Sequence, residues 1–205
     1  MMFTDRTEAG RILAKDLDRF RDRNPLILAL PRGGVPVAAE IASALDAELD
    51  VIPVRKLGVP HQPELAMGAI GENDIVILNQ HVIDRMQISA DDIDLVRRQE
   101  EIELVRRAHR WRRHGPRSRV GRLAIVVDDG MATGATAEAA CRVAAAEGAA
   151  GIVLAVPVAS PDAVARVRPL VDEVLCRVDS TLSGVGAAYG DFHQLTDDEV
   201  TALLT

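Results

Sequence analysis

Apolar residues recur along this chain in two alternating rhythms. Leu13, Leu17 and Phe20 repeat at helical spacing behind Asp5 and Glu8, a capping-box pair, and predict a first helix running to about Arg23. Asn24-Pro25 stops it, and the continuous run LILAL (26–30) reads as a strand buried on both faces. After PRGG, Val37, Ile41, Ala42 and Leu45 mark a second helix, and LDVIPV (49–54) the next strand. A strand, helix and strand joined in this way favour parallel pairing. The rhythm breaks in the middle. Residues 67–79 predict two short strands around Glu72-Asn73-Asp74, and Ser89 with Asp92 predicts the cap of a long helix from about Ala90 to Arg113.

The alternation then resumes. RLAIVVDD (122–129) reads as a second buried strand, TAEAACRVAAAEG as a helix ended by Gly148, GIVLAVPV (151–158) and EVLCRV (173–178) as further strands. Ser160 with Pro161 predicts one helix start and Thr196 with Glu199 another. The expected architecture is a single α/β domain over 1–205: an open, mostly parallel sheet with flanking helices and a large insertion at about 57–121.

Composition narrows the classes without choosing among them. The net charge of −7 argues against a nucleic-acid binder that uses its whole surface. That charge is uneven: residues 97–122 hold ten Arg against three Glu, +7, so the remainder carries −14. On the long helix, Asp94 and Glu103 precede Arg98 and Arg107 by four residues, which predicts a solvated, ion-paired face. Aromatic interleaving there stops at Trp111, so nucleic acid is not an expected partner. Cys141 and Cys176 lack metal-ligand or redox spacing and read as reduced core thiols. The first residues show no signal-peptide pattern and no apolar run reaches a membrane span, so a cytoplasmic location is expected.

Chemistry concentrates in VVDDGMATGAT (126–136). A buried strand ends in two carboxylates, followed by small residues and hydroxyls at a helix start. Backbone N–H groups from Ala132 to Thr136 suit a phosphate at a helix N-terminus, with Thr133 and Thr136 adding donors. Asp128 and Asp129 suit sugar hydroxyls or Mg²⁺. A phosphorylated ribose presents both kinds of group. The lysine of a Walker A loop is absent, and the dinucleotide-binding glycine pattern does not occur.

This stretch resembles the phosphoribosyl-pyrophosphate (PRPP) motif of type I phosphoribosyltransferases. Leu30-Pro31-Arg32-Gly33-Gly34 resembles the family's pyrophosphate loop, Arg55-Lys56 its basic pair, and VGAAYGDF (185–192) the hood over the base, within a small hood at about 180–205. The resemblance implies transfer of the 5-phosphoribosyl group of PRPP to a purine or pyrimidine base with release of pyrophosphate. Under it, Asp128 and Asp129 hold the ribose hydroxyls and organise Mg²⁺, and Ala132, Thr133, Gly134, Ala135 and Thr136 cradle the 5′-phosphate. Pro31, Arg32, Gly33, Gly34, Arg55 and Lys56 hold pyrophosphate, with Arg32, Lys56 and the two aspartates as the catalytic set. Tyr189 and Phe192 are the base-stacking candidates. A non-proline cis peptide is implied at Pro31-Arg32 or Arg32-Gly33, and a homodimer is expected. Ala132 stands where hypoxanthine-guanine members carry an acid and matches adenine members instead. A PRPP-sensing regulator without transfer activity is the alternative reading, with 97–122 as its partner surface.

Overall fold

The computed structural model describes residues 2–111, 115–179 and 184–204, apart from the side chains of Glu64 and Asp179. Helix α1 (Arg6–Leu17) opens on Asp5, whose side chain accepts from the Glu8 N–H, and the Glu8 carboxylate reaches back to the Thr4 N–H. A 3-10 turn continues to Arg23, where Asn24 takes a left-handed conformation and releases the chain into β1 (Leu26–Ala29). Helix α2 (Gly34–Leu45) and β2 (Glu48–Val51) complete the first unit. Two-face burial is literal in β1, where Ile27 packs with one core cluster and Leu28 with the other. Burial of each such side chain contributes about 1.5–3 kcal/mol.

Next comes a second sheet, antiparallel: β3 (Arg55–Val59), β4 (Gln62–Ile70) and β5 (Val76–Leu78). It is larger than the two strands expected around Glu72, because Arg55 to Val59 turns away from the main sheet and pairs with β4. Helices α3 (Gln80–Met86) and α4 (Ala90–Trp111) follow, and this insertion has its own core around Leu57, Met67, Ile70 and Leu104. The chain then re-enters the main sheet as β6 (Leu123–Val127), passes through α5 (Ala135–Ala146), β7 (Gly151–Ala159), α6 (Pro161–Val167) and β8 (Glu173–Asp179), and ends on α7 (Asp197–Leu203).

The main sheet is wholly parallel, in the order β2-β1-β6-β7-β8. Helices α1, α2 and α7 cover one face with Leu13, Leu17, Ile41 and Val200; α5 and α6 cover the other with Ala140, Cys141, Val143 and Ala163. Strands β2, β1 and β6 end level, with Val51, Ala29 and Val127 in register, so the segments after β1 and β6 emerge side by side. The Ser160 and Thr196 caps form as the sequence predicts, the latter with both arms of its box. Among the described residues no helix is long and apolar enough to cross a membrane.

Among the described residues, most arginines of the arginine-rich segment are ion-paired, with Asp94 meeting Arg97 rather than Arg98. Arg97 lies near Asp94 and Glu101, Arg106 and Arg107 near Glu103, and Arg110 near Asp197. Arg119 is 3% exposed and pairs with Glu147 at 2.9 Å, while Arg117 and Arg122 reach Glu48. Arg112 and Arg113 lie outside the described residues.

Candidate active site

Close approach of two loops defines the site. A Cβ on Gly33 would lie 2.1 Å from Oδ2 of Asp129, and one on Gly34 would lie 2.5 Å from the Val127 carbonyl and 2.9 Å from the Asp128 Cα. Only glycine allows that approach, which accounts for the Gly-Gly pair after β1. The Leu30 N–H donates to the Val127 carbonyl at 2.8 Å and holds the two loops at one level. Peptide Pro31-Arg32 is cis, one of the two positions expected.

The acidic pair sits beneath these loops. Asp128 is partly buried and Asp129 is 8% exposed. Burial, reinforced by the neighbouring Asp129 charge, raises the Asp128 carboxyl well above the usual range. Burial raises Asp129 too, while its hydrogen bond from Arg6 works in the opposite direction. Nε of Arg6 donates to Oδ2 of Asp129 at 2.8 Å, and Nη1 of the same guanidinium donates to the His193 carbonyl at 3.0 Å. The Arg6 guanidinium also lies over the Phe192 ring, 3.9 Å from its centroid.

Residues 132–136 form the small loop leading into α5. Gly134 has φ +72°, the left-handed region that favours glycine. Ala132, Thr133 and Thr136 are exposed. Among the described residues, the N–H groups of Ala132, Thr133, Gly134 and Thr136 carry no intrachain hydrogen bond, whereas that of Ala135 leans on Thr133 Oγ1 at 3.5 Å. The Ser160 hydroxyl fixes the loop from below by donating to the Ala132 carbonyl at 2.7 Å. Unpaired N–H groups around a helix N-terminus can receive an anion, and the adjacent carboxylates can receive hydroxyl donors or a cation.

The sequence pattern of the phosphoribosyl transferase domain family matches residues 6–190. The chain belongs to the phosphoribosyltransferase family. Two Mycobacterium tuberculosis proteins, from different strains and both named as phosphoribosyl transferases, are 52% identical to it over 205 residues. The alignment covers 99% of this chain and 46% of each of those proteins, so the chain spans about half the length of these curated relatives. The solved structure of TT1426 from Thermus thermophilus is similar throughout, with TM-score 0.90, 42% identity and coverage of 100% of this chain and 98% of that one. AQ2163 from Aquifex aeolicus, at 10% identity and TM-score 0.52 over 87% of this chain and 78% of its own, shares the fold.

Several residues of the phosphoribosyltransferase motifs stand differently from what spacing suggested. Arg55 and Leu57 share one face of β3, and Arg55 pairs with Glu100 of α4 at 2.6 Å; strand alternation sends the exposed Lys56 to the other face. The two basic side chains therefore stand on opposite faces of β3. Arg32 lies 3.8 Å from Asp197 at the start of α7. Tyr189 is 5% exposed and donates its hydroxyl to the Asp129 carbonyl at 2.6 Å. Its ring stacks on Phe192 at 5.0 Å and tilts against Phe3 at 5.6 Å. The two stacking candidates thus brace the acidic turn in this phosphoribosyltransferase domain. Residues 180–183 of the hood lie outside the described residues.

Arg6 and Phe3 were not legible as site residues. The hood is stitched to the N-terminal segment, with the Met2 and Phe3 N–H groups donating to the Ala188 carbonyl and the Gly190 N–H to the Phe3 carbonyl. The one sequence signal available was an arginine in the first turn of a helix, where the macrodipole disfavours it and a buried acid would have to compensate.

Proposed function

We propose that this chain transfers the 5-phosphoribosyl group of PRPP to a nitrogenous base and releases pyrophosphate. The observation that carries the reading is the packing of Gly33 against the Asp129 carboxylate, which sets the upstream loop, the acidic pair and the N–H-rich loop 132–136 around one space. In this reading Asp128 and Asp129 accept hydrogen bonds from the ribose hydroxyls, and residues 132–136 receive the 5′-phosphate. Arg32, Gly33, Gly34 and Arg55 face the pyrophosphate, with Lys56 reaching it only from the outer face of β3. Displacement at the anomeric carbon develops charge on the leaving group, so donors positioned there lower the barrier. Removing one well-placed donor of that kind costs roughly 3–4 kcal/mol.

Mg²⁺ fits the donor set in a limited way. Among the described residues no cluster of three or more His, Cys, Asp or Glu could hold a metal ion, so a cation would have to be shared between Asp128, Asp129 and substrate oxygens. Hard carboxylate oxygens completed by phosphate oxygens and water suit that ion. When bound, it would neutralise the leaving pyrophosphate.

A panel of purine and pyrimidine bases with Mg-PRPP, followed by pyrophosphate release, tests the transfer. Turnover on at least one base is expected; tight PRPP binding with no turnover on any base would refute it. One observation favours a second reading, a PRPP-binding regulator: both hood aromatics are committed to Asp129, Arg6 and each other, and Ala132 offers no acid to a base. Homodimerisation and a cytoplasmic location belong to the proposal and are tested by sedimentation and cell fractionation.

A further inference from the structure

Helix α4 is apolar on two sides. Its inner side packs Ile93, Val96 and Leu104 into the core of the insertion with Leu57, Met67 and Ile70. Its outer side carries Leu95, Ile102 and Val105, which are 57%, 73% and 47% exposed. Their spacing of seven and then three residues sets them on one stripe, interrupted by Arg98 and continued by His109. A helix that covers a core needs one apolar side, and its opposite side is ordinarily polar. Single exposed apolar residues are commonplace, whereas a contiguous row of large ones marks a contact surface.

Charge along the helix selects what the surface meets. Residues 90–95 hold Asp91, Asp92 and Asp94 and no base, while residues 106–111 hold Arg106, Arg107, His109 and Arg110 and no acid. A second α4 laid parallel along the stripe would set acid on acid and base on base. Laid antiparallel about a two-fold axis near residue 100, it sets Leu95 against Val105 of the second copy, Asp94 against its Arg106 and Asp91 against its His109. Symmetry repeats each of these contacts, as an isologous interface requires. Arg106 already meets Glu103 at 2.8 Å, but a guanidinium has five donors and can serve two carboxylates. Arg98 falls opposite Ile102 and covers it with its methylene stem, the charged head remaining at the rim. An anionic lipid surface suits the stripe poorly, because it attracts helices that are basic throughout and the acidic end of α4 would be repelled. The helix has 22 residues. It is therefore about 33 Å long and about 10 Å across, so a paired stripe covers roughly 300–400 Å² on each copy, about half of what a standard interface buries per partner. Pairing of that size is reversible and depends on concentration.

We propose that the outer stripe of α4 is the surface through which two copies of this chain pair, antiparallel and about a two-fold axis. The proposal rests on the homodimer of the preceding section and names its surface; it does not depend on transfer activity. Glu100, which holds Arg55 at 2.6 Å, stands at the level of the axis, so the interface and the candidate active site share one helix.

Sedimentation velocity of the whole protein, run from low to high micromolar concentration, should show a monomer–dimer equilibrium. Ile102→Glu puts a charge in the middle of the seam and should weaken the dimer on the order of tenfold or more. Because Ile102 is exposed in the single copy, its urea midpoint should not move. Asp94→Arg should weaken the dimer several-fold, and addition of Arg106→Asp should restore it. In a Cys176→Ser background, Leu95→Cys combined with Val105→Cys should give a disulfide-linked dimer on mild oxidation. Leu95→Cys alone should not, since antiparallel pairing holds the two copies of that position about 15 Å apart, too far for a disulfide. Undiminished dimerisation in Ile102→Glu overturns the surface and leaves the homodimer standing. Crosslinking through Leu95→Cys alone, or failure of Arg106→Asp to restore Asp94→Arg, overturns the antiparallel arrangement. A monomer at every concentration overturns the surface and the homodimer together, while the base panel judges transfer separately.

Discussion

Arg6→Met separates the role of Arg6 as counter-ion from its role as filler. The side chains of Arg6 and Asp129 are 9% and 12% exposed, so solvent screens their contact little. Methionine keeps most of the aliphatic volume and deletes the charge. Breaking a buried pair by removing one partner costs about 3–5 kcal/mol, because the survivor stays charged in a poor solvent. Loss of the guanidinium over Phe192 adds about 0.5–1 kcal/mol. Set against a typical total of about 5–15 kcal/mol, the variant should be markedly destabilised. The sign with pH follows from Asp129. Its folded pKa is already raised by burial, and removal of Arg6 raises it further above the unfolded value. Below the ordinary carboxyl range Asp129 is protonated in both states, so the charge part of the cost is absent; it develops as pH rises through the raised folded values. Urea unfolding at mildly acid, neutral and alkaline pH measures this. Addition of Asp129→Asn to the variant should recover part of the loss. A cost below about 1 kcal/mol that is flat with pH, with no recovery in the double variant, would refute the reasoning.

Gly33→Ala places a methyl 2.1 Å from an Asp129 oxygen and should abolish PRPP binding in calorimetry while costing about 1–3 kcal/mol in unfolding experiments. Tyr189→Phe removes the hydroxyl donor from the buried Asp129 carbonyl and should cost about 1–3 kcal/mol, read from the urea midpoint at unchanged slope. His193 is raised above its ordinary pKa by its hydrogen bonds to Asp191 and then Glu199, so its stabilising contribution is full below the ordinary histidine value and fades as pH rises through the raised one. His193→Gln should flatten that part of the melting-temperature profile, and a profile identical to wild type would count against it. Burial pushes the Cys141 thiol up to about 12, so alkylation in the folded protein should be far slower than at Cys176, as mass spectrometry would read.

Local features of the chain were the legible ones. Continuous apolar runs at 26–30 and 123–127 meant strands covered on both faces, and those strands stand at the centre of the sheet. The caps at Asp5, Ser160 and Thr196 act within a few residues of themselves and formed as expected. The two loop motifs were legible for the same reason: a turn that must approach a neighbour closely needs glycine whatever surrounds it. Arg55 and Lys56 show where that logic stops, since adjacency in sequence became opposite faces once β3 paired with β4.

By itself, then, the sequence determined the strand and helix order of the main sheet, its parallel core and the two loops that meet at its carboxyl edge, because propensity, capping and glycine sterics are short-range. Tertiary structure alone decided which charges meet. Arg6 reaches Asp129 across 123 positions, Tyr189 braces the same turn across 60, and α4 brings Arg107 and Trp111 beside Pro31, Arg55 and Thr136. Pairings of that kind depend on where whole elements pack, and a buried charge acquires its partner only when packing has excluded water from both.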